Sequence, residues 1–166
     1  MITVEEAEKI IQSRVKDFGI EEISFENCLG RVLAKDIIAD RDLPPFNRVT
    51  TDGIAINFSS FEKGNRKFKI AGTQEAGDES PEIDKPGECI EIMTGAALPQ
   101  STDTVIRYED VVIEKGFATI TSAQIVKGQS VHFKGTDKKK NEVVAHANKL
   151  IKPATVGMAD TEGLNI

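Results

Sequence analysis

The sequence predicts a mixed α+β protein that is rich in β-strands, on three observations. A helical pattern opens the chain, short β-rich runs broken by Gly, Pro, Asn and Asp every 8 to 12 residues or so fill the middle, and a second helical pattern follows a proline near the end. The spacing of the runs is typical of a small sandwich or barrel. With 166 residues, of which 39% are hydrophobic and 29% charged, the chain has a globular composition.

The first element is an amphipathic helix, predicted over about Val4 to Asp17. Thr3 and Glu6 have the spacing of a capping box. Apolar residues then recur at helical spacing until Gly19, and such a stripe has to pack on something. After it, residues 31–38 form an extended, β-branched stretch.

The next feature is a break at Leu43-Pro44-Pro45-Phe46, where proline removes a backbone donor and disfavours regular structure. We place a domain boundary there. Residues 1–45 and 136–166 are predicted to form one small unit with helices, and residues 46–135 a barrel- or sandwich-like β-rich unit inserted into it. The predicted strands of the inserted unit are Gly53 to Asn57, Lys67 to Ala71, Glu88 to Met93, Thr104 to Tyr108, Val111 to Glu114 and Phe117 to Thr121.

The last element is a helix that Pro153 opens, since proline is tolerated in a first helical turn. We expect it to run to about Glu162 and to end at Gly163. The sequence stops three residues later, at Ile166. We therefore expect the natural protein to continue into a further segment.

Composition and charge exclude several classes of function. The net charge of −6 repels a nucleic-acid backbone. No apolar run is long enough to span a membrane, and the acidic N-terminus does not resemble a signal peptide. Cys28 and Cys89 lie far apart without metal-ligand spacing. We expect a cytoplasmic protein with reduced thiols, bound neither to nucleic acid nor to membrane.

Two loops carry candidate functional residues. Asp52 precedes Gly53 after the proline-rich arm, and a carboxylate there can bind a cation or orient water. Thr94 precedes Gly95 in a loop of small residues that a ligand can approach, and its hydroxyl can donate to an oxyanion. The alternative is that both are ordinary turn residues. If they serve one substrate, their side chains lie exposed and within about 10 Å of each other.

The remaining polar residues give weaker signals. His132 and His146 are not spaced as metal ligands, and we expect them at the surface or partly packed. Lys134 and residues 138–140 form a local basic cluster, either an anion site or a solvated loop. No Ser-His-Asp arrangement or reactive-cysteine setting is recognisable.

A succession of short motifs resembles the molybdopterin molybdenumtransferase family, of the MoeA and gephyrin E-domain type. Their order and spacing match this family across nearly the whole chain. The motifs are Gly30-Arg31-Val32-Leu33-Ala34-Lys35-Asp36-Ile37, Asp42-Leu43-Pro44-Pro45-Phe46, Asp52-Gly53-Ile54-Ala55, Glu75-Ala76-Gly77-Asp78, Pro86-Gly87-Glu88, Ile92-Met93-Thr94-Gly95-Ala96 and Asp103-Thr104-Val105 through Glu109-Asp110.

The resemblance implies domains I and II of that family, a linking domain with an inserted β-rich domain. Family members are longer and insert molybdate into adenylylated molybdopterin with release of AMP, assisted by Mg²⁺. Their site lies between domain II and the α/β nucleotide-binding domain of the dimer mate. That α/β domain is missing here, so the 166 residues alone are expected to be inactive. The resemblance also implies that the longer protein is a homodimer.

By the same resemblance, Asp52 and Thr94 match the catalytic positions, and Asp52 is the implied metal ligand. Gly53, Gly95 and Lys134 are the implied cofactor-binding residues. The chain departs from the family at residues 47–51, at Ile54 in place of tyrosine, and at residues 132–137, where an arginine-rich segment is usual. The alternative is a non-catalytic β-rich module for assembly or protein binding.

Overall fold

The computed structural model describes residues 2–79, 81, 83 and 85–161, which fold mostly into β-strands with few helices. The predicted mixed, β-rich class is confirmed. The helices are α1 Val4–Ser13, α2 Phe58–Glu62 and α3 Pro153–Thr161. The strands are β1 Ile37–Ile38, β2 Arg48–Val49, β3 Gly53–Ile56, β4 Lys67–Gln74, β5 Glu88–Ile92, β6 Thr104–Arg107, β7 Val111–Glu114, β8 Phe117–Ile120, β9 Val131–His132 and β10 Val143–Ala145.

The chain divides into two compact units. One contains residues 38–144, and the other joins residues 1–37 with residues 145–166. The inserted unit thus begins and ends at other residues than the boundaries expected from sequence, 45/46 and 135/136. The difference arises because residues 42–50 hydrogen-bond along residues 130–140. The correspondence of these units to the family's two domains stays a prediction.

The larger unit is built on a six-stranded sheet in the order β6-β3-β5-β4-β8-β7. The pairs are antiparallel except β4 with β5, which run parallel with a register shift between Ile70 and Gly72. Lys115-Gly116 joins β7 to β8, as the hairpin pattern predicts, with both residues at positive φ. The predicted strands are all present, with ends that differ by up to three residues.

Apolar residues cover both faces of the central strand β3. Ile54 and Ile56 pack with Phe68 and Ile106 in one core, whereas Ala55 packs with another group on the opposite face. That second group contains Val49, Ile92, Ala96 and Val105. Because β3 is buried on both sides, its sequence is a continuous apolar run rather than an alternating one.

The smaller unit brings its two chain pieces together through backbone hydrogen bonds. Leu33 N–H donates to the Lys149 carbonyl over 2.9 Å, and Ile151 N–H donates to the Arg31 carbonyl over 2.7 Å. Helix α1 has the predicted capping box but ends at Ser13, earlier than expected. None of its residues is buried. Val4 and Ile11 are 75% and 67% exposed, and Val15, just after the helix, is 72% exposed.

Some elements were not expected from sequence. Helix α2 and the strands β2, β9 and β10 escaped prediction because they contain two to five residues each. The predicted end of α3 at Glu162 and Gly163 lies outside the described residues.

Cys28 and Cys89 are both buried free thiols. Within the part of the chain that the structure describes, no helix is long and apolar enough to cross a membrane.

Candidate functional site

Asp52 and Thr94 form a single exposed site in the larger unit. The Thr94 hydroxyl and the Thr94 backbone N–H both donate to Asp52 Oδ1, each over 2.7 Å. Both residues are exposed. Two loops that are 42 residues apart in sequence therefore meet through direct hydrogen bonds, well inside the expected limit of about 10 Å.

Backbone pairing between the two loops holds the carboxylate in place. Val49 N–H donates to the Ala96 carbonyl over 3.0 Å, and Gly95 N–H donates to the Val49 carbonyl over 2.9 Å. Gly95 has a φ of +91°, a backbone conformation that residues other than glycine rarely adopt. The turn at Gly95 therefore aims the Thr94 amide and hydroxyl at the end of the loop that carries Asp52.

The two hydrogen bonds set the charge and the orientation of Asp52. They lower the pKa of the Asp52 carboxyl below its ordinary value, with the backbone donor contributing most, the hydroxyl next, and burial opposing both. Among the described residues, Oδ1 receives both donors and Oδ2 accepts no hydrogen bond. Asp52 is thus an ionised carboxylate with one oxygen available to a ligand.

The geometry changes the role expected of Thr94. A hydroxyl has one proton to donate, and here that proton is directed to Asp52 Oδ1. Thr94 therefore orients Asp52, whereas the sequence led us to expect donation to an oxyanion. Its hydroxyl oxygen still has a lone pair with which to accept a hydrogen bond.

Sequence reasoning missed two residues beside this pair. Tyr108 donates its backbone N–H to the Asp52 carbonyl over 3.3 Å, and its hydroxyl donates to Glu91 Oε1 over 3.2 Å. Partial burial, followed by the charge of Glu91, raises the pKa of Tyr108 to about 12. Both residues belong to neighbouring strands or their ends, so only knowledge of strand register would have identified them.

The predicted cofactor-binding residues occupy different settings. Gly53 is buried in β3, where a Cβ atom would overlap the Ile106 carbonyl, so glycine is required there for strand packing. Lys134 donates its backbone N–H to Asn47 Oδ1 over 2.9 Å, and its Nζ lies 3.6 Å from Asp42 Oδ2. Ligand roles for Gly53, Gly95 and Lys134 stay predictions.

The histidines are separated from each other. His132, at the end of β9, lies 2.9 Å through Nε2 from Asp137 Oδ1, and its side chain is partly exposed. His146 is exposed, with Nδ1 lying 3.8 Å from Asp36 Oδ1 in the smaller unit. Both match the surface or partly packed role expected from their spacing.

The metal-binding role expected of Asp52 stays a prediction. Among the described residues, no group of three or more His, Cys, Asp or Glu side chains is arranged to hold a metal ion. Mg²⁺ is commonly held by one or two carboxylates together with substrate phosphates and water. The open Oδ2 of Asp52 fits that pattern as a single protein ligand, and it does not form a site by itself.

Comparison with known proteins finds relatives that share one name. The 166 residues are 40% identical over 156 residues to a molybdopterin molybdenumtransferase of Synechocystis, covering 93% of this chain and 40% of that protein. A Staphylococcus aureus protein of the same name is 29% identical over 98% of this chain and 39% of its own length. This chain thus spans about 40% of the length of these relatives.

Solved structures with a similar fold carry related names. The crystal structure of the molybdopterin biosynthesis MoeA protein from Pyrococcus horikoshii OT3 superposes with a TM-score of 0.89 at 28% identity, over 97% of this chain and 44% of that one. The sequence profile of the MoeA N-terminal region, domain I and II, matches residues 2–163. The chain therefore belongs to the MoeA N-terminal region family.

Proposed function

We propose that this chain is the N-terminal part of a molybdopterin molybdenumtransferase, which inserts molybdate into adenylylated molybdopterin and releases AMP. One observation carries the proposal: Thr94 donates twice to Asp52 Oδ1 and leaves an ionised carboxylate oxygen at an exposed rim. An aspartate that only stabilised its own turn would bond the backbone of that turn and would need no partner 42 residues away. The names of the relatives supply the substrate class.

Within this proposal, Asp52 acts through charge and position rather than through a covalent bond. Asp52 is ionised at neutral pH as an ordinary aspartate is, the Thr94 donors favour this form further and lower its pKa, and Thr94 fixes the direction in which Oδ2 faces. A preorganised group that needs no rearrangement during the reaction stabilises developing charge effectively. We assign Asp52 as the catalytic residue and Thr94 as its positioning residue.

The proposal includes Mg²⁺, with Asp52 Oδ2 as the ligand from this chain. When bound, the cation would neutralise charge on the phosphate oxygens of the substrate. The remaining ligands would come from the substrate, from water, or from segments of the longer protein. We further propose that the protein acts in the cytoplasm, as the charge and the cysteines favour.

A homodimer completes the proposed function. The apolar residues of α1 are exposed, although an amphipathic helix of this kind is stable mainly when its apolar face is packed. We propose that a second copy of the protein covers this face. The α/β nucleotide-binding segment expected beyond these residues would supply the second wall of the site, so the 166 residues alone would not catalyse the reaction.

The test is AMP release from adenylylated molybdopterin by the protein in its full natural length. Asp52→Asn preserves size and removes the charge, so the rate should fall by about 100-fold or more while folding is kept. Asp17→Asn is the matched control, because Asp17 also accepts one backbone hydrogen bond, from Gly19, at an exposed turn. A normal rate in Asp52→Asn would reject the proposal and favour the non-catalytic module.

A further inference from the structure

Gln74 is a completely buried polar side chain at the end of β4. Strands β4 and β5 run parallel and end at the same level, with Gln74 opposite Ile92. Directly after Ile92 the chain leaves β5 and enters the loop of residues 93–97, which carries Thr94. Gln74 therefore lies beside the point at which this loop begins.

Gln74 bonds both ends of the loop. Its backbone carbonyl accepts the Met93 N–H over 3.1 Å, and its side-chain Nε2 donates to the Ala97 carbonyl over 2.9 Å. Within the loop, the Ala96 N–H donates to the Met93 carbonyl over 3.1 Å and closes a turn. One residue of β4 thus holds the first and the last residue of the loop in fixed positions.

The direction of the Thr94 donors depends on these positions. Thr94 donates its backbone N–H to Asp52 Oδ1 over 2.7 Å, and a hydrogen bond weakens steeply when the donor turns away from the acceptor. A displaced loop end would turn the Thr94 amide. Val49 also pairs with the backbone of Gly95 and Ala96, so Gln74 contributes a part of this alignment.

The burial of an amide at this position indicates a specific role. A buried amide is costly unless it is hydrogen-bonded, whereas a methionine of similar size would pack there without a partner. The bond to the Ala97 carbonyl accounts for the glutamine. Because Gln74 is 0% exposed, it acts on the site through the loop and not by contact with a substrate.

We propose that Gln74 is a positioning residue for Asp52, acting through Thr94 and the loop of residues 93–97. Gln74 keeps the Thr94 amide aimed at Asp52 Oδ1, and this bond in turn fixes the direction of Oδ2. The importance of this alignment for catalysis rests on the proposed function. The coupling between Gln74 and the Asp52 carboxylate does not.

Carboxyl carbon NMR of this chain during an acid titration tests the coupling. Gln74→Met keeps the approximate size of the side chain and removes the donor to Ala97. The pKa of Asp52 should rise toward its ordinary value, because the Thr94 backbone donor is the largest cause of its lowering. The Thr94 amide should also exchange with water about tenfold faster or more, as expected when a hydrogen bond is weakened.

Thr104→Val is the matched control. Thr104 is as buried as Gln74, and its hydroxyl forms hydrogen bonds with Asp103 and with the Gly128 amide, outside the loop. This variant should lower the stability of the fold without changing the Asp52 pKa or Thr94 exchange. If Gln74→Met is less stable but leaves both readings unchanged, or if the two variants change them equally, Gln74 is a structural residue only and the proposal is overturned.

A measurement on the natural chain decides the question even if Gln74→Met does not fold. Coupling between two groups is reciprocal, so protonation of Asp52 should disturb the Gln74 side-chain amide. Its NMR signals should shift with the midpoint of the Asp52 titration, and signals that stay fixed through that midpoint would overturn the proposal. None of these readings uses AMP release. A normal rate in Asp52→Asn would therefore reject the proposed function and leave this coupling standing.

Discussion

At the scale of single residues, the Asp52 carboxylate is defined by its two donors from Thr94. A hydrogen bond to the ionised form favours that form, so the folded protein holds the pKa of Asp52 below its value in the unfolded chain. This stability contribution is present above the unfolded pKa of about 3.9 and is lost as the pH falls through the folded pKa. Both donors have to remain in place for the full effect.

Thr94→Val should raise the pKa of Asp52 toward its ordinary value without restoring it completely. The variant removes the hydroxyl donor and keeps the backbone donor, which is the larger cause of the shift. Thr94→Ser should behave like the natural protein. Carboxyl carbon NMR during an acid titration measures the change directly. An unchanged Asp52 pKa in Thr94→Val would mean that the hydroxyl bond is not formed in solution.

Tyr108 offers a second test at this scale, because it is the only tyrosine and the chain has no tryptophan. Glu91→Gln should lower the Tyr108 pKa from about 12, since the charge of Glu91 is the second cause of its elevation after burial. Tyrosinate absorbance during an alkaline titration reports this one residue. Glu88→Gln is the control, as it removes a charge from the same strand without a bond to Tyr108. Equal effects of the two variants would contradict the contact.

At the scale of elements, the tight packing of β3 between β5 and β6 positions Asp52. Gly53 pairs with Ile92 on one side and with Arg107 on the other. A side chain at this position would meet the backbone of β6 rather than a flexible neighbour. Even one methyl group added at Gly53 would therefore disturb the packing of the strand that follows Asp52.

Gly53→Ala should destabilise the fold by about 1–3 kcal/mol, the usual cost of overpacking. Gly72→Ala, in β4, is the comparison because its added methyl group would lie 3.9 Å from Pro81, an ordinary contact. Urea unfolding of both variants measures the difference. If Gly53→Ala proved as stable as Gly72→Ala, the close approach of β6 at this point would be wrong.

Features that depend on neighbouring residues could be predicted from the sequence, whereas features that depend on distant pairings could not. The capping box of α1 and the hairpin at Lys115-Gly116 are local signals, and both were read from the sequence. The order of the strands and the β2 with β9 pairing depend on contacts far apart in the chain. For this reason Asp52 and Thr94 could be identified from their loops and by resemblance, whereas Glu91 and Tyr108 required the register of the strands.

At the scale of the whole molecule, the proposed homodimer rests on the exposed apolar residues of α1. Ile11→Glu should lower self-association because it places a charge in the middle of the proposed dimer face, where Ile11 is 67% exposed. Glu5→Gln on the same helix is the control. Sedimentation measures the mass of each variant. A natural protein that is monomeric at all concentrations would contradict the proposed dimer.

The proposed catalysis requires Asp52 and Thr94 to act as one unit. A double-mutant cycle on AMP release by the full-length protein tests it, with Asp52→Asn, Thr94→Val and the double variant. If Thr94 works by orienting Asp52, Thr94→Val should slow the natural enzyme by about tenfold, as expected for a lost charge-assisted bond. The same change should have almost no further effect once Asp52 is replaced. Equal slowing in both backgrounds would show that the two residues act independently and would contradict the claim.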